Sequence, residues 1–173
     1  RSFSSEIYEI KELQEQIANF ASSLAEKLRK QNSVASEVCI FAYTNRFKEN
    51  EPQVYANRLI HLSPATNAQR TIITQAVAAT RELFRKGIGY KKAGVVATRI
   101  ITAQNQMHSL FEDREAIEKE RKLTSVVDAV NRAFGKSAIK FAVQGSGKIK
   151  TSSENQSPHY TTQWNDIPKA TVK

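Results

Sequence analysis

The sequence is poor in the residues that most often carry thiol or redox chemistry: it contains one cysteine, one methionine and one tryptophan. The single cysteine, Cys39, excludes an internal disulfide. It lies within the apolar run 38–41, which indicates a buried and unreactive thiol. The only methionine is Met107 and the first residue is Arg1, so we expect this sequence to be part of a longer protein.

Long apolar runs are also missing. No stretch approaches the roughly 20 residues that a membrane-spanning helix needs, and no signal peptide opens the chain. The composition, with 40% hydrophobic and 25% charged residues, is typical of a soluble globular protein. A length of 173 residues suffices for one domain with an appendage or for two small domains.

Catalytic patterns are absent as well. The three histidines, His61, His108 and His159, lie far apart without the spacing of metal ligands. The acids of residues 112–120 have the pattern of a solvated helix face. The Gly-Ser-Gly-Lys run at 145–148 lacks the full glycine spacing of a phosphate-binding loop, and a flexible loop is the better interpretation. These patterns argue against a small enzyme.

Positive charge is unevenly spread along the chain. The net charge of +9 arises from residues 34–103, with +6, and residues 135–173, with +4. Residues 1–33 are neutral overall, and residues 104–134 carry −1. Clustered positive charge favours a polyanionic partner such as nucleic acid, although a role in solubility explains the composition equally well.

Hydrophobic periodicity predicts two helices in the first two thirds of the chain. Apolar residues recur every three or four positions over 6–30 and again over 68–86. Ser4 or Ser5 is expected to cap the first helix, and Gly87 is expected to end the second.

Strands alternate with these helices. Runs of β-branched and aromatic residues predict strands over 38–43, 54–62 and 90–101, with residues 1–3 as the stump of a further strand and 63–67 as a loop. The order β-α-β-β-α-β is an α+β, split βαβ pattern in which two helices cover one sheet face. The other face is then open, and we expect the basic block to make it rich in arginine and lysine.

The composition changes after residue 103. Residues 104–122 are polar and charged, and we predict a linker there, followed by a helix near 115–134 that ends at Gly135. A short strand over 139–143 completes a small α/β region. The aromatic residues of the tail 157–168 indicate that it docks on a partner surface.

Two adjacent lysines, Lys91 and Lys92, open the last strand of the first pattern. Neighbouring residues of a strand point to opposite faces, so one lysine could reach a phosphate and the other the rim. The alternative is an edge strand that lysine protects from unwanted pairing. Ala93 and Gly94 are expected to let a neighbouring backbone come close.

Six short motifs occur together in a characteristic order: RSF, NEP, GYKKAGV, SLFED, RAFGKSAIKFAVQG and SPHYTTQWNDIP. In this order they resemble the C-terminal part of UmuC-type Y-family DNA polymerases, over essentially the whole chain. The resemblance implies that residues 1–103 form the little finger, a DNA-gripping domain, and that 104–173 form a partner-docking region. The catalytic palm would precede Arg1, so we expect no polymerase activity and no cofactor here, whereas the parent enzyme would use Mg²⁺.

A little finger implies contacts with the phosphates of primer-template DNA, because a polymerase must slide and phosphates carry no sequence information. The residues predicted to make these contacts are Arg1, Ser2, Arg46, Lys48, Lys91, Lys92 and Arg99.

The resemblance also implies a site for the sliding clamp. Leu110 and Phe111 resemble the apolar pair of a clamp-binding peptide of the form Gln-Leu-x-Leu-Phe. Met107 stands where glutamine is expected, or Gln106 takes that role with one extra residue before the pair. The alternative is that the pair packs on the protein itself.

The family further implies a UmuD′-like dimer and a RecA filament as partners, and a bacterial, cytoplasmic and nucleoid-associated protein acting in SOS-type damage tolerance. The competing hypothesis is a stand-alone split-βαβ module that binds RNA or single-stranded DNA. The sequence lacks the Lys/Arg-Gly-Phe-Gly-Phe type of run that such modules use to stack bases, which counts against it.

Overall fold

A computed structural model describes residues 1–106, 113–135, 138–147, 149, 151 and 167. Its elements are β1 Ser2–Ile7, α1 Ile10–Lys30, β2 Ser33–Tyr43, β3 Tyr55–Thr66, α2 Gln69–Leu83, β4 Tyr90–Thr102 and α3 Arg114–Phe134. Single 3₁₀ turns follow at Ala103–Asn105 and Ala142–Gln144. The predicted α+β class and the β-α-β-β-α-β order are confirmed. We call the part from β1 to β4 the sheet unit.

The four strands form one sheet in the order β1-β4-β2-β3, with antiparallel pairing between all neighbours. β1 and β2 therefore run parallel to each other with β4 inserted between them. In the same way, β2 separates β3 from β4. Each β-α-β half is thus split by one strand of the other half, which confirms the split βαβ pattern and makes the two halves inseparable.

Helices α1 and α2 pack on one face of this sheet and bury its core. The buried side chains of α1 include Leu13, Ile17 and Leu28, which recur with helical spacing. On β2, Val38 and Ile40 point toward the helices and are also fully buried. Each such aliphatic side chain stabilises the fold by about 1.5–3 kcal/mol through its removal from water.

Several predicted boundaries are wrong because tertiary pairing overrides local signals. Ser4 and Ser5 do not cap α1 but lie in β1, which extends to Ile7 and pairs with β4. The predicted loop 63–67 mostly belongs to β3, where an irregular register accommodates Pro64. Pro64 lies in the irregular stretch between the paired residues His61 and Thr66, where the register gives it no cross-strand partner.

The second helix ends four residues before Gly87. The hydroxyl of Tyr90 donates to the Leu83 carbonyl at 3.2 Å and accepts from the Arg85 amide at 3.0 Å. This fully buried side chain therefore satisfies backbone groups where α2 stops. Phe84 then leaves the helix in extended conformation, and its ring lies 5.8 Å from the Tyr90 ring.

The predicted helix after residue 113 is confirmed, and Gly135 follows it with a φ of 106°. The predicted strand over 139–143 is wrong: an irregular segment and the second 3₁₀ turn stand there. The Asn131 side chain bonds both the amide and the carbonyl of Ile139, at 2.8 and 3.0 Å. These side-chain hydrogen bonds satisfy backbone groups of Ile139 that would pair with a neighbouring strand if the segment were part of a sheet.

Helix α3 lies against α1 and the start of α2, on the side of the molecule opposite the free sheet face. Arg29 on α1 holds Asp128 with two hydrogen bonds of 2.6 and 2.7 Å. Gln144 bonds Asn19 of α1 in both directions. The contacts of α3 with the sheet unit are thus largely polar, and none of its described side chains is fully buried.

Candidate nucleic-acid interface

The sheet face that the helices leave free is defined by strand register. Antiparallel partners share a face, so the residues that alternate with Val38, Ile40 and Ala42 on β2, together with their partners, point away from the core. We call this surface the open face. Its rows across β4, β2 and β3 are Lys92-Tyr43-Tyr55, Gly94-Phe41-Asn57, Val96-Cys39-Leu59 and Thr98-Glu37-His61.

An aromatic stack occupies one end of the open face. The rings of Phe41 and Tyr43 lie 6.0 Å apart at an angle of 17°, and those of Tyr43 and Tyr55 lie 5.6 Å apart at 29°. Gly94 makes room for this stack, because a Cβ atom there would come within 2.5 Å of the Phe41 ring. Tyr55 ends the stack on the edge strand with 69% of its surface exposed.

The same end of the sheet carries positive charge. The Lys92 ammonium lies 5.4 Å from the centroid of the Tyr43 ring, within range of a cation–π interaction. Ser2 pairs with Lys92 in register, and Arg1 forms a backbone hydrogen bond with Ala93. The Lys91 ammonium donates to the Ser4 carbonyl at 3.0 Å.

The loop between β2 and β3 adds Arg46 and Lys48 at this end. Arg46 is exposed and has no hydrogen bond or ion pair with any residue that the structure describes. Lys48 is different, since its ammonium lies 2.8 Å from Glu51 and 3.0 Å from Glu6. Its charge is therefore already neutralised within the protein.

Lys48 and Glu6 shift each other's pKa in opposite directions. Hydrogen bonds to Glu51 and Glu6 raise the pKa of Lys48. Partial burial pushes the pKa of Glu6 upward, but hydrogen bonds from Lys48 and Tyr8 outweigh it and the pKa lies below its usual value. The hydroxyl of Tyr8 donates to Glu6 at 2.9 Å, and this bond raises the pKa of Tyr8.

The other end of the open face centres on an acid. The Glu37 carboxylate is nearly buried and lies 3.2 Å from Nε of Arg99 and 3.3 Å from Nδ1 of His61. The Thr98 hydroxyl donates to its second oxygen at 3.2 Å. Arg99 has a φ of 48°, an unusual conformation that occurs near the end of β4.

The expectation that the open face is rich in arginine and lysine is wrong. Of the basic block, Arg70 and Arg81 lie on α2, on the helix-covered side of the sheet, and Arg85 and Lys86 lie in the loop from α2 to β4. The face itself is mainly aromatic and apolar. Cys39 also lies there and is partly exposed rather than buried, because the odd-numbered residues of β2 from Glu37 to Tyr43 point to this side.

The structure brings six of the seven predicted DNA-contact residues to one end of the sheet: Arg1, Ser2, Arg46, Lys48, Lys91 and Lys92. Arg99 lies at the other end, seven residues further along β4 and paired with Glu37. Tyr43 and Tyr55 were not among the predicted site residues. Aromatic residues at the alternate positions 41 and 43 were a pattern from which an aromatic cluster on one sheet face could have been predicted.

Among the predicted clamp-binding residues, Gln106 has a defined place. Its side-chain amide donates to the Ala65 carbonyl of β3 at 2.7 Å, which fastens the end of the sheet unit. Met107, Leu110 and Phe111 lie outside the described residues. The clamp assignment therefore stays a prediction.

A groove of about 770 Å³ lies between α2 and α3, with Thr71, Leu123 and Phe141 among its lining residues. Within the described ranges, no group of three or more acidic, histidine or cysteine side chains could hold a metal ion. No helix in the part of the chain that the structure describes is long and apolar enough to cross a membrane.

Comparison with known protein families assigns both parts of the chain. Residues 1–110 match the impB/mucB/samB family C-terminal domain. Residues 121–170 match a domain of unknown function, DUF4113.

Relatives in Salmonella typhimurium agree with the first of these matches. The chain is 34% identical to Protein MucB over 175 residues, which cover 100% of the chain and 41% of MucB. It is 31% identical to Protein UmuC of strain LT2 over 168 residues, which cover 96% of the chain and 40% of UmuC. Protein ImpB is 31% identical over 172 residues, which cover 98% of the chain and 40% of ImpB.

The chain spans about two fifths of the length of these curated relatives. The family match covers the whole sheet unit, and the similarity to the relatives extends over nearly the entire chain. The chain therefore belongs to the impB/mucB/samB family, the UmuC-type branch of the Y-family polymerases, and corresponds to its C-terminal part.

Proposed function

We propose that this chain is the non-catalytic DNA-holding and partner-docking part of an error-prone translesion DNA polymerase. The parent enzyme would act in SOS-type damage tolerance in the bacterial cytoplasm, at the nucleoid, and would use Mg²⁺ bound by a palm domain that is not part of this sequence. Six predicted DNA-contact residues lie at one end of an open sheet in a member of this family, and this clustering is the observation that carries the proposal.

The chemistry of the cluster suits sliding along DNA. Ammonium and guanidinium groups bind phosphates without reading base identity, so the grip can shift by one nucleotide at a time. Lys91, Lys92 and Arg46 carry the larger share of this role. Lys48 contributes less, because binding a phosphate requires it to give up Glu51 and Glu6.

Salt dependence of DNA binding tests the grip. We expect the Lys91→Ala, Lys92→Ala double variant of the 173-residue chain to bind primer-template DNA more weakly. The slope of log K against log salt should flatten by about one unit for each phosphate that the variant no longer binds.

The matched control removes two cations from α2, on the helix-covered side of the sheet, as Arg70→Ala, Arg81→Ala. It lowers the net charge by the same amount, and both side chains are exposed. Equal flattening of the slope in the two variants would show that general charge, rather than the open face, holds DNA.

Exposed apolar groups on α3 support the docking half of the proposal. Leu123, Val126 and Phe134 are 61%, 58% and 80% exposed, and with Val130 they form a stripe along one side of the helix. A stripe of this kind is typical of a surface that a protein partner covers. The proposed partners are the sliding clamp, a UmuD′-like dimer and a RecA filament.

Clamp binding separates the two candidate docking elements. We expect Leu110→Ala, Phe111→Ala to weaken clamp binding by at least tenfold, since the pair would fill an apolar pocket. The matched control Leu123→Ala, Phe134→Ala removes the same two side-chain types from exposed positions of α3 and should leave clamp affinity unchanged. If only the α3 variant loses affinity, the clamp uses the helix and the peptide assignment fails.

The second candidate function is a stand-alone module for single-stranded RNA or DNA. The aromatic stack on the open face favours it, because sheet aromatics are a common platform for unpaired bases. Preferential binding of single-stranded RNA over primer-template DNA by the chain would support this candidate against the first.

A further inference from the structure

We infer that the aromatic stack ending at Tyr55 is a binding site for unpaired nucleobases of the DNA strand that the chain holds. The inference rests on the proposed DNA-holding function and adds to it a second mode of contact. The cations would bind phosphates, while the stack would hold bases that have no partner strand.

The geometry of the stack leaves one aromatic surface free. Phe41 and Tyr43 stack along β2, and Tyr55 continues the stack onto β3. Among the residues that the structure describes, β3 is the edge strand of the sheet, and Tyr55 is 69% exposed there. A planar base can therefore extend the stack as its next member.

The rings are held in place before any ligand binds. Tyr43 lies between two aromatic neighbours, with the Lys92 ammonium 5.4 Å from its ring centroid. Because residue 94 is a glycine, the Phe41 ring can pack directly against the β4 backbone. A rigid platform of this kind loses little conformational freedom on binding, which is a requirement for useful affinity from a single stacked ring.

Charge and polarity around the stack match a nucleic-acid strand. Lys92 stands in the same row as Tyr43 and Tyr55, and Arg46 follows Tyr43 in the β2–β3 loop, so two cations lie at the same end of the sheet as the stack. Asn57 stands in the next row beside Phe41 and offers an amide to a base edge. The acid Glu37 lies three rows away from Lys92, at the opposite end of the face.

The unpaired state of the ligand follows from the same geometry. The faces of paired bases inside a duplex are covered by their neighbours, so away from the duplex ends a protein ring reaches a base face only where the strand is single or the base is extruded. The stack therefore favours single-stranded template over blunt duplex. The phosphate contacts of the proposed grip do not make this distinction.

Binding of three fluorescently labelled DNAs to the 173-residue chain tests the inference: a single strand, a blunt duplex and a primer-template with a single-stranded 5′ overhang. We expect Tyr55→Ala to lower affinity for the single strand and the overhang by about tenfold. Affinity for blunt duplex should stay within about twofold. The salt slope should not change, because stacking releases no counterions.

Two further variants complete the test. Tyr55→Phe keeps the ring and should bind all three DNAs like the wild type. Phe47→Ala removes another ring near this end of the sheet, one that is 93% exposed but outside the stack, and should also have no effect.

Three results would overturn the inference: unchanged single-strand affinity in Tyr55→Ala, an equal loss on blunt duplex, or a loss in Tyr55→Phe as large as in Tyr55→Ala. None of these results bears on the proposed phosphate-binding function. That function is contradicted separately if Lys91→Ala, Lys92→Ala leaves the salt slope of duplex binding unchanged.

Discussion

The sheet unit and α3 are held in the molecule by different forces. The sheet unit buries a continuous set of aliphatic side chains from all four strands and both helices. Helix α3 has no fully buried side chain among those described and is joined to the rest by polar contacts such as the Arg29–Asp128 pair. Apolar burial makes a unit cooperative, whereas exposed and partly exposed polar contacts hold an element that can open separately.

This difference has a functional counterpart. A surface that grips DNA needs rigid strands that keep phosphate-binding groups in register. A docking element that meets several protein partners in turn benefits from a local stability below that of the whole domain. The contrast between the two regions therefore agrees with their proposed roles.

The largest expected effect is a loss of stability caused by a substitution in the core of the sheet unit. Ile17 is fully buried, and alanine preserves helix propensity, so Ile17→Ala should lower the free energy of unfolding by about 2–5 kcal/mol. Urea unfolding followed by circular dichroism measures this. The control Leu123→Ala removes an exposed aliphatic side chain from α3 and should change stability by less than about 0.5 kcal/mol. Comparable losses of unfolding free energy in both variants would show that α3 and the core of the sheet unit do not differ in how they stabilise the fold.

A medium effect should be confined to α3. Asp128→Ala removes both hydrogen bonds that Arg29 donates to this helix, and should lower the opening free energy of α3 by about 1–3 kcal/mol. Amide hydrogen exchange would show faster exchange in α3 with β2 and β4 unchanged. Glu118→Ala, which removes only an exposed pair with Arg121, is the control. Faster exchange throughout the sheet would mean that α3 unfolds together with the sheet unit.

The smallest expected effect depends on pH. The pKa of Glu6 in the folded chain is below its unfolded value of 4.5, so its contribution to stability is complete above that pH and is lost as the pH falls through the folded pKa. Glu6→Gln should therefore lower the urea midpoint slightly at neutral pH and not at strongly acid pH. The exposed Glu118→Gln on α3 should show no such convergence with the wild type. Parallel curves for Glu6→Gln and wild type at all pH values would contradict this interpretation.

Sequence patterns predicted the elements of the sheet unit well but not their ends. Helical spacing in α1 and α2 and alternation in β2 reflect which side chains must face the core, and this requirement acts locally. The boundaries failed where distant residues decide them. Ser4 and Ser5 have the chemistry of helix caps but pair with β4, and Tyr90 stops α2 from seven residues away.

The candidate site was predicted in part. The DNA-contact residues were named from the family resemblance, and the fold gathers five basic residues and Ser2 at one end of the sheet. Lys48 differs from the others because two acids from separate segments neutralise it. The aromatic stack was missed, since Tyr43 and Tyr55 become neighbours only through pairing of β2 with β3.

The sequence alone determined the fold class, the family and the positive charge, because periodicity, motif order and composition are properties of the chain itself. Only the tertiary structure decided which cations share a surface, which are already paired and which rings stack. Strand order and register control these relations, and they place residues far apart in sequence within a few ångströms of each other. Nothing in the local pattern around Lys92 indicates that Tyr43 lies beside it, with Tyr55 next in the same row.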